Sequence, residues 1–359
     1  MQRDSLNYER RGVMNVGTGS SRYRSAEGRQ VEKEEDMSRF VLLVGCVWAF
    51  FAPGLFTTLH AQPYPNRPIQ LVIPTTPGAG VDIVGRLVAE ELGKILKTQI
   101  VPVNKPGASF TTGTDAVVRS KKDGYTLLYT PSTAIIYARI PNPDLVPYDP
   151  VKDLEPLGVH AWNPMILVVK GDSTWKTFSE FLDHAKKNPG KVSMSIFGAL
   201  AIERFNMEII KSLTDAQFNL VPFKGPPEAL GAILGGHVES SFIGVGLALP
   251  HVKEGKIRAI LITRKWSELP DVPTITELGY KKELDSGWFA CYAPAGVPEE
   301  VKAALVPAFE KIARNPELKA RIDKMGFVVD YKSPAEHRKI MIEGFETAMS
   351  LAQKIGAQK

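Results

Sequence analysis

The sequence contains few of the residues on which covalent and metal chemistry depend. Its 359 residues include two cysteines and six histidines. Cys291 lies in the apolar stretch "WFACYAPAG", where a buried and inert thiol is expected. Five histidines follow the N-terminal apolar run, and none lies within metal-ligand spacing of another His or Cys. They are His160, His184, His237, His251 and His337. The sequence therefore predicts no metal site and no catalytic cysteine.

Local signatures of hydrolases are also missing. The chain has no Gly-x-Ser-x-Gly elbow and no His-Glu-x-x-His helix. A net charge of +5, without a dense basic patch interleaved with aromatic residues, argues against nucleic acid as a partner. An acid/base pair dispersed along the chain would leave no local pattern, so a secreted α/β enzyme of the hydrolase kind stays an alternative.

Residues 37–61 have the features of a secretory signal peptide. Arg39 precedes the apolar stretch Phe40–Phe56, and the small Ala61 precedes Gln62, so we predict cleavage after Ala61 and a periplasmic mature chain. Residues 1–36 are polar and mixed in charge, and we interpret them as a non-native or disordered extension before a true start at Met37. A membrane anchor, or acylation at the lipoprotein-like Cys46, is the alternative.

Short apolar runs alternate with amphipathic segments through residues 62–359, which indicates parallel sheets covered by helices. We predict an α/β fold of two lobes around a ligand cleft. Residues 62–162 and 287–359 form lobe 1, residues 163–286 form lobe 2, and the chain crosses between lobes near Trp162 and Gly287.

The stretch "LVIPTTPGAGVDIVGRLVAEEL", Leu71 to Leu92, joins a strand to a helix through a glycine-containing turn. Neither the P-loop spacing nor the dinucleotide spacing is present, because Val81-Asp82 and Ile83 stand where those patterns need other residues. Free amides at a helix start still bind small anions, including carboxylates. The alternative is that Asp82 caps its own helix and the glycines only form a tight turn.

Ligands of open α/β sheets bind beyond the carboxyl ends of the strands. Four predicted strand ends carry suitable turns: Thr75–Asp82, Thr130–Thr133, Phe197–Ala201 and Ile243–Leu247. Ser132 and Thr133 are as well explained by bonding within their own turn. Since catalytic signatures are missing and strand-end turns are abundant, the residues favour a binding protein over an enzyme.

Residues Tyr64–Lys359 resemble the Bug/TctC family of periplasmic solute-binding proteins of tripartite tricarboxylate transporters. The resemblance rests on "YPNRPIQLVIP", "PGAGVD", "NKPGA", "DGYTLL", "YDPVKDLEP", "VPFKGPPEALGAILGGHVE", "LPDVPTITELGY" and "WFACYAPAGVP". It implies a Venus-flytrap fold that closes on a small carboxylated solute and delivers it to membrane permease subunits. It also implies no cofactor. We expect a monomer, and a sensor system in place of a transporter remains an alternative.

Two turns depart from the family pattern. The turn "FGALAIERF" carries Leu200, Ala201 and Ile202 where the family has hydroxyl donors, and Ile243–Ala248 replaces its Asp-Asn-x-x-x-Ala pattern. We therefore expect one carboxylate at the first turn and an apolar or aromatic body beyond it. The predicted contact residues are Thr76, Gly78, Ala79, Gly80, Val81, Asp82, Ser132, Thr133, Phe197, Gly198, Ala199, Leu200, Ala201, Phe242, Ile243 and Gly244. Arg204 either binds a second acidic group or faces solvent.

Overall fold

The computed structural model describes residues 63–140, 144, 146–196, 202–223 and 225–354. Gln62–Lys359 forms a compact unit by itself. The predicted extension, the signal peptide with its cleavage site, Cys46 and the contact residues Phe197–Ala201 lie outside the described residues.

The described residues contain ten strands and ten α-helices, which alternate along most of the chain until three helices end it. The strands are β1 (Ile69–Ile73), β2 (Ile100–Asn104), β3 (Thr126–Pro131), β4 (Leu154–Trp162), β5 (Met165–Lys170), β6 (Ser193–Ile196), β7 (Asn219–Pro222), β8 (Ser240–Gly244), β9 (Ile257–Ile262) and β10 (Trp288–Pro294). The helices are α1 (Gly80–Leu96), α2 (Thr111–Val118), α3 (Pro150–Asp153), α4 (Phe178–Lys187), α5 (Ile202–Thr214), α6 (Pro226–Leu234), α7 (Val245–Lys253), α8 (Glu299–Ala313), α9 (Pro316–Asp323) and α10 (Pro334–Lys354). A 3-10 turn spans Ala108–Phe110, and a π-helical turn spans Thr133–Tyr137.

The strands form two five-stranded sheets. The first sheet has the order β2-β1-β3-β10-β4, and the second has the order β7-β6-β8-β5-β9. In the first sheet β1 is parallel to β2 and β3, whereas β10 is antiparallel to β3 and β4. The second sheet repeats this arrangement, since β6 is parallel to β7 and β8 while β5 is antiparallel to β8 and β9.

Two connections join the sheets. The first crossing, residues 163–164, links β4 to β5, and the second crossing, residues 263–287, links β9 to β10. The Asn163 amide of the first crossing donates to the Gly287 carbonyl of the second over 3.1 Å, and the Thr263 amide of the second crossing donates to the Met165 carbonyl, directly after the first crossing, over 2.9 Å. The crossings therefore form one connected region between the sheets.

Apolar side chains pack in three clusters. One, which includes Ile73, Val84 and Phe309, lies between the first sheet and helices α1, α8 and α9. Another, which includes Ile243, lies between the second sheet and helices α6 and α7. The largest runs from Leu128 in the first sheet to Leu167 in the second. The two sheets thus share one continuous core on that side.

Candidate functional site

The topology brings the carboxyl ends of β1, β3, β6 and β8 to the two crossings. Phe289 at the start of β10 pairs with Pro131 at the end of β3, and Trp288 pairs with Trp162 at the end of β4. In the second sheet Met165 at the start of β5 pairs with Gly244 at the end of β8. Parallel strands end at a common edge, so β1 and β6 end beside β3 and β8. Both ligand-binding edges therefore face the same region.

The glycine-containing turn is organised around a buried carboxylate. Asp82 is 2% exposed and accepts hydrogen bonds from the Gly78 amide at 2.9 Å, from Asn104 Nδ2 at 2.8 Å and from Arg86 Nε at 3.1 Å. Burial alone would raise the pKa of Asp82, but the bonds from Arg86, Gly78 and Asn104 outweigh burial and lower it. The turn therefore holds a permanent anion of its own, and the Gly78 amide is already used.

The start of α1 still offers backbone donors. The Ile83 amide makes the first helical bond, to the Ala79 carbonyl at 3.0 Å, so the amides of Gly80 and Val81 precede the hydrogen-bonded part of the helix. Ala79 provides no side-chain cap. Gly80 is half-buried, and Thr76 is exposed at the tip of the turn. An anion at this helix start would be bound by the amides of Gly80 and Val81.

The loop Met325–Phe327, which the sequence patterns did not predict to be near the site, lies between this turn and the end of β8. A β-carbon on Gly80 would come within 2.7 Å of the Phe327 ring, and one on Gly246 would come within 2.6 Å of the Met325 carbonyl oxygen. Gly326 has a positive φ of 84° and lies against the Gly246 backbone. Met325–Phe327 thus contacts both α1 and the start of α7, and only glycine allows the backbones of 246 and 326 to approach so closely.

Ser132 and Thr133 lie at the end of β3, as expected. Ser132 is buried, and its Oγ accepts a hydrogen bond from the Trp288 amide at 3.3 Å. Thr133 is half-buried and opens the π-helical turn that ends at Tyr137. The hydroxyl of Ser132 thereby ties the end of β3 to the start of β10.

The end of β8 combines two buried apolar side chains with an open glycine. Phe242 and Ile243 are fully buried on opposite faces of the second sheet, in the shared core and in the α6/α7 cluster respectively. They support this strand end from within the core. Gly244 is half-buried, and a β-carbon built on it would lie 3.5 Å from Asn163 Oδ1 in the first crossing.

A second buried carboxyl lies in the first turn of α5. Glu203 is 2% exposed, and its Oε2 has no hydrogen-bond partner. Burial raises the pKa of Glu203 to about 8, with a further contribution from the charge of Asp285. The Asp285 carboxylate accepts a hydrogen bond from the Tyr137 hydroxyl and one from the Gly287 amide at 2.9 Å.

Asn206 fastens α5 to the second crossing. Its Nδ2 donates to the Asp285 carbonyl at 2.9 Å, and its Oδ1 accepts from the Asp285 amide at 2.8 Å. Together with Tyr137 from the first-sheet side, these bonds connect α5, the second crossing and the turn after β3. Local sequence patterns do not indicate this network, because its members are separated by up to 148 residues.

Arg204 lies apart from this network, whereas the cavity beside α5 borders it. Arg204 lines a groove with Glu208, Lys211 and Asp215. A cavity of about 280 Å³ between α5 and α10 is lined by residues that include Tyr137, Trp162, Phe205, Asp285 and Leu351. None of the described contact residues predicted from sequence lines that cavity. We therefore place the candidate site at the strand ends.

The cysteine and two of the histidines, the residue types that could serve in catalysis or metal binding, are buried in the protein. Cys291 is fully buried, and burial raises the pKa of its thiol far above the ordinary range. His160 and His337 are buried in the first-sheet region, and burial lowers the pKa of His160 to about 3. Within the part of the chain that the structure describes, no cluster of three His, Cys, Asp or Glu side chains could hold a metal ion.

The sequence model of one protein family, the tripartite tricarboxylate transporter family receptor, matches residues 84–357 of this chain. The chain belongs to this family. It is 29% identical to the protein BugT of Bordetella pertussis, over 82% of this chain and 94% of that one. The crystal structure of a TctC solute-binding protein from Polaromonas, without ligand, is 26% identical and superposes with a TM-score of 0.72, covering 81% and 99% of the two chains. MatC from Rhodopseudomonas palustris with bound malate is 25% identical, with a TM-score of 0.63 over 80% and 99%.

These matches confirm three of the predictions. The chain is a Bug/TctC-type solute-binding receptor, its fold is that of the two-lobe α/β periplasmic binding proteins, and it is a receptor rather than an enzyme. In the described residues no helix is long and apolar enough to cross a membrane. The contact residues and the lobe boundaries stay predictions.

Proposed function

We propose that this receptor captures a small carboxylate between its two lobes in the periplasm and delivers it to the membrane permease subunits of a tripartite transporter. The observation that carries the proposal is the meeting of four strand ends at the two crossings. A ligand held there touches both sheets at once, so it can stabilise a closed arrangement of lobes divided near Trp162 and Gly287.

The first-sheet turn is the proposed carboxylate site. The amides of Gly80 and Val81 lie at the positive end of α1, and a helix start of this kind favours an anion by roughly 0.3–1 kcal/mol when exposed. Asp82 holds the turn in shape and would not itself contact the solute carboxylate, since like charges repel. That MatC was solved with malate supports the carboxylate class.

The second-sheet side favours a body with little charge. Arg264 in the second crossing is paired with Asp330 at 2.7 Å and stacks 3.8 Å above the Trp162 ring, so its charge is already compensated. Arg204 lies in the separate groove. Among the described residues of this region, a second or third carboxylate would then find no unpaired counter-charge, which is costly. We therefore propose a monocarboxylate with an apolar or aromatic body, bound by a monomeric receptor.

Calorimetric titration of the mature chain, Gln62–Lys359, tests this proposal with benzoate, hexanoate, malate and citrate. We expect benzoate or hexanoate to bind more tightly than citrate, and each bound acid to be recovered unchanged. Tight citrate binding would contradict the monocarboxylate proposal, and failure of every acid to bind would contradict the carboxylate site. Recovery of a converted product would indicate an enzyme.

A further inference from the structure

Asn163 occupies the space that Gly244 leaves open at the end of β8. A β-carbon on Gly244 would contact Asn163 Oδ1 at 3.5 Å and Nδ2 at 4.0 Å. The backbone of Asn163 is fixed by its amide bond to the Gly287 carbonyl. Asn163 is half-buried, and its side-chain amide makes no hydrogen bond to another residue of the described part of the chain.

The position of Asn163 is central in the candidate site. A β-carbon on Gly287 would lie 3.7 Å from Ser132 Oγ, 3.9 Å from Asn163 Cβ and 3.4 Å from Ile202 Cδ1. Gly287 thus lies among the end of β3, the first crossing and the start of α5. Asn163 stands between that point and Gly244, so its side-chain amide lies near the ends of β3 and β8.

We propose that Asn163 determines solute specificity by binding a neutral polar group of the solute, such as a hydroxyl, whose carboxylate lies at the α1 start. This inference rests on the proposed function and narrows it to hydroxylated monocarboxylates. A primary amide both donates and accepts, so it satisfies a hydroxyl fully.

The surrounding charges favour a neutral group over a second carboxylate. Asp285 lies two residues before Gly287, and Glu203 lies in the first turn of the helix that contacts Gly287. Arg264 is paired with Asp330. A dicarboxylate would therefore bring its second charge toward the Asp285 carboxylate and the uncharged Glu203, while the neighbouring Arg264 is already paired.

The test compares ω-hydroxy acids of two to eight carbons with the matching alkanoic acids and α,ω-diacids. A series of chain lengths is used because the titrations then identify the best spacing between the solute's hydroxyl and its carboxylate. For the wild type we expect one hydroxy acid to bind about threefold to tenfold more tightly than its parent alkanoate, the range expected for one hydrogen bond. The matching diacid is expected to bind more weakly than that hydroxy acid.

Asn163→Ala should abolish this preference, so that the best hydroxy acid and its parent alkanoate bind with equal affinity. Asn163→Asp should weaken all the acids, because it adds a charge beside the solute. Asn219→Ala, at the opposite end of the second sheet on the exposed edge strand, is the matched control and should keep the wild-type preference. Thermal unfolding and circular dichroism of each variant verify that it is folded.

The outcomes separate this inference from the proposed function. A wild type that binds alkanoates without preferring any hydroxy acid overturns the inference and leaves the carboxylate receptor standing. A folded Asn163→Ala variant that keeps the preference also overturns it. A wild type that binds none of the acids overturns both.

Discussion

Asp82 and Glu203 occupy the same structural position in the two sheets, but their carboxyl groups differ in hydrogen bonding and in the direction of their pKa shift. Each lies in the first turn of the helix that follows a central parallel strand, and each is 2% exposed. Asp82 has three hydrogen-bond donors, whereas Glu203 Oε2 has no partner. The pKa of Asp82 is lowered and that of Glu203 is raised to about 8. Near neutral pH the first turn is thus anionic and the second is largely protonated.

The comparison shows that hydrogen-bond donors and depth of burial together decide the charge of a carboxyl group at these helix starts. Both side chains have little exposed surface, but Glu203 lies deeper in the protein, and only Asp82 accepts hydrogen bonds from a guanidinium, an amide side chain and a backbone N–H. The receptor therefore has an anchored charge on one side of the cleft and a titratable one on the other.

The largest expected effect is a pH dependence caused by Glu203. Its unfolded pKa is near 4.5 and its folded pKa is about 8, so the folded protein binds an extra proton between these values. Its contribution to stability is complete below pH 4.5 and is lost as the pH rises through 8, with a slope approaching about 1.4 kcal/mol per pH unit. In urea unfolding at pH 5 to 8, Glu203→Gln should lack this slope.

The matched control for this titration is Glu208→Gln on the same helix, which lines the outer groove and should keep the wild-type slope. His160 acts in the opposite direction: its folded pKa of about 3 means that its contribution is lost as the pH falls below 6.5. That effect is present in all three proteins, so the difference between wild type and variant isolates Glu203. Equal slopes in wild type and Glu203→Gln would show that Glu203 is charged in the folded protein.

The second expected effect is a loss of stability in Asp82→Ala. Removing the carboxylate leaves the Gly78 amide without its acceptor, the Arg86 guanidinium without its counter-charge and Asn104 Nδ2 with one acceptor of two, and we expect the free energy of unfolding to fall by about 2–3 kcal/mol at pH 7. Because the folded pKa of Asp82 is lowered, its contribution is present above pH 3.8 and is lost below it. The difference from wild type should therefore shrink when unfolding is measured at pH 3.

Asp115→Ala provides the comparison for an ordinary carboxylate of the same sheet region. Asp115 is paired with Arg119 on the surface of α2, where one ion pair contributes about 0–1 kcal/mol. If Asp82→Ala and Asp115→Ala destabilise the protein equally, Asp82 does not organise the turn.

Local patterns in the sequence predicted the surroundings of Asp82 better than those of Glu203. The turn before α1 and the position of Asp82 follow from a strand, a glycine-containing turn and an amphipathic run. The partner Asn104 lies 22 residues away at the end of β2, and only the parallel register of β1 and β2 brings it to Asp82. Sequence patterns do not contain that register, so they could not predict the low pKa.

The elements that the sequence did not reveal share a cause. The strand β4, "LEPLGVHAW", contains a proline, a glycine and two polar residues, so neither alternation nor a continuous apolar run marks it. It forms because β10 pairs with it along its whole length, with two register shifts. Asn163 is likewise one polar residue after an apolar run, and only the antiparallel pairing of β5 with β8 places it over Gly244.

The smallest expected effect is that of Asn104→Ala, which removes one of the three donors of Asp82 and leaves the other two. Asn104 Nδ2 also donates to the Thr75 carbonyl at 3.0 Å, and its Oδ1 accepts from Arg86 Nη2 at 2.7 Å. Since these groups lie partly at the surface, water replaces some of the lost bonds, and we expect a loss of about 1 kcal/mol in urea unfolding at pH 7. NMR titration of the Asp82 carboxyl should show its pKa rising toward that of Glu203, because one donor to the carboxylate is gone. An unchanged Asp82 pKa would mean that Arg86 and Gly78 alone hold the charge, and the contrast between the two helix starts would then depend on the guanidinium rather than on the number of donors.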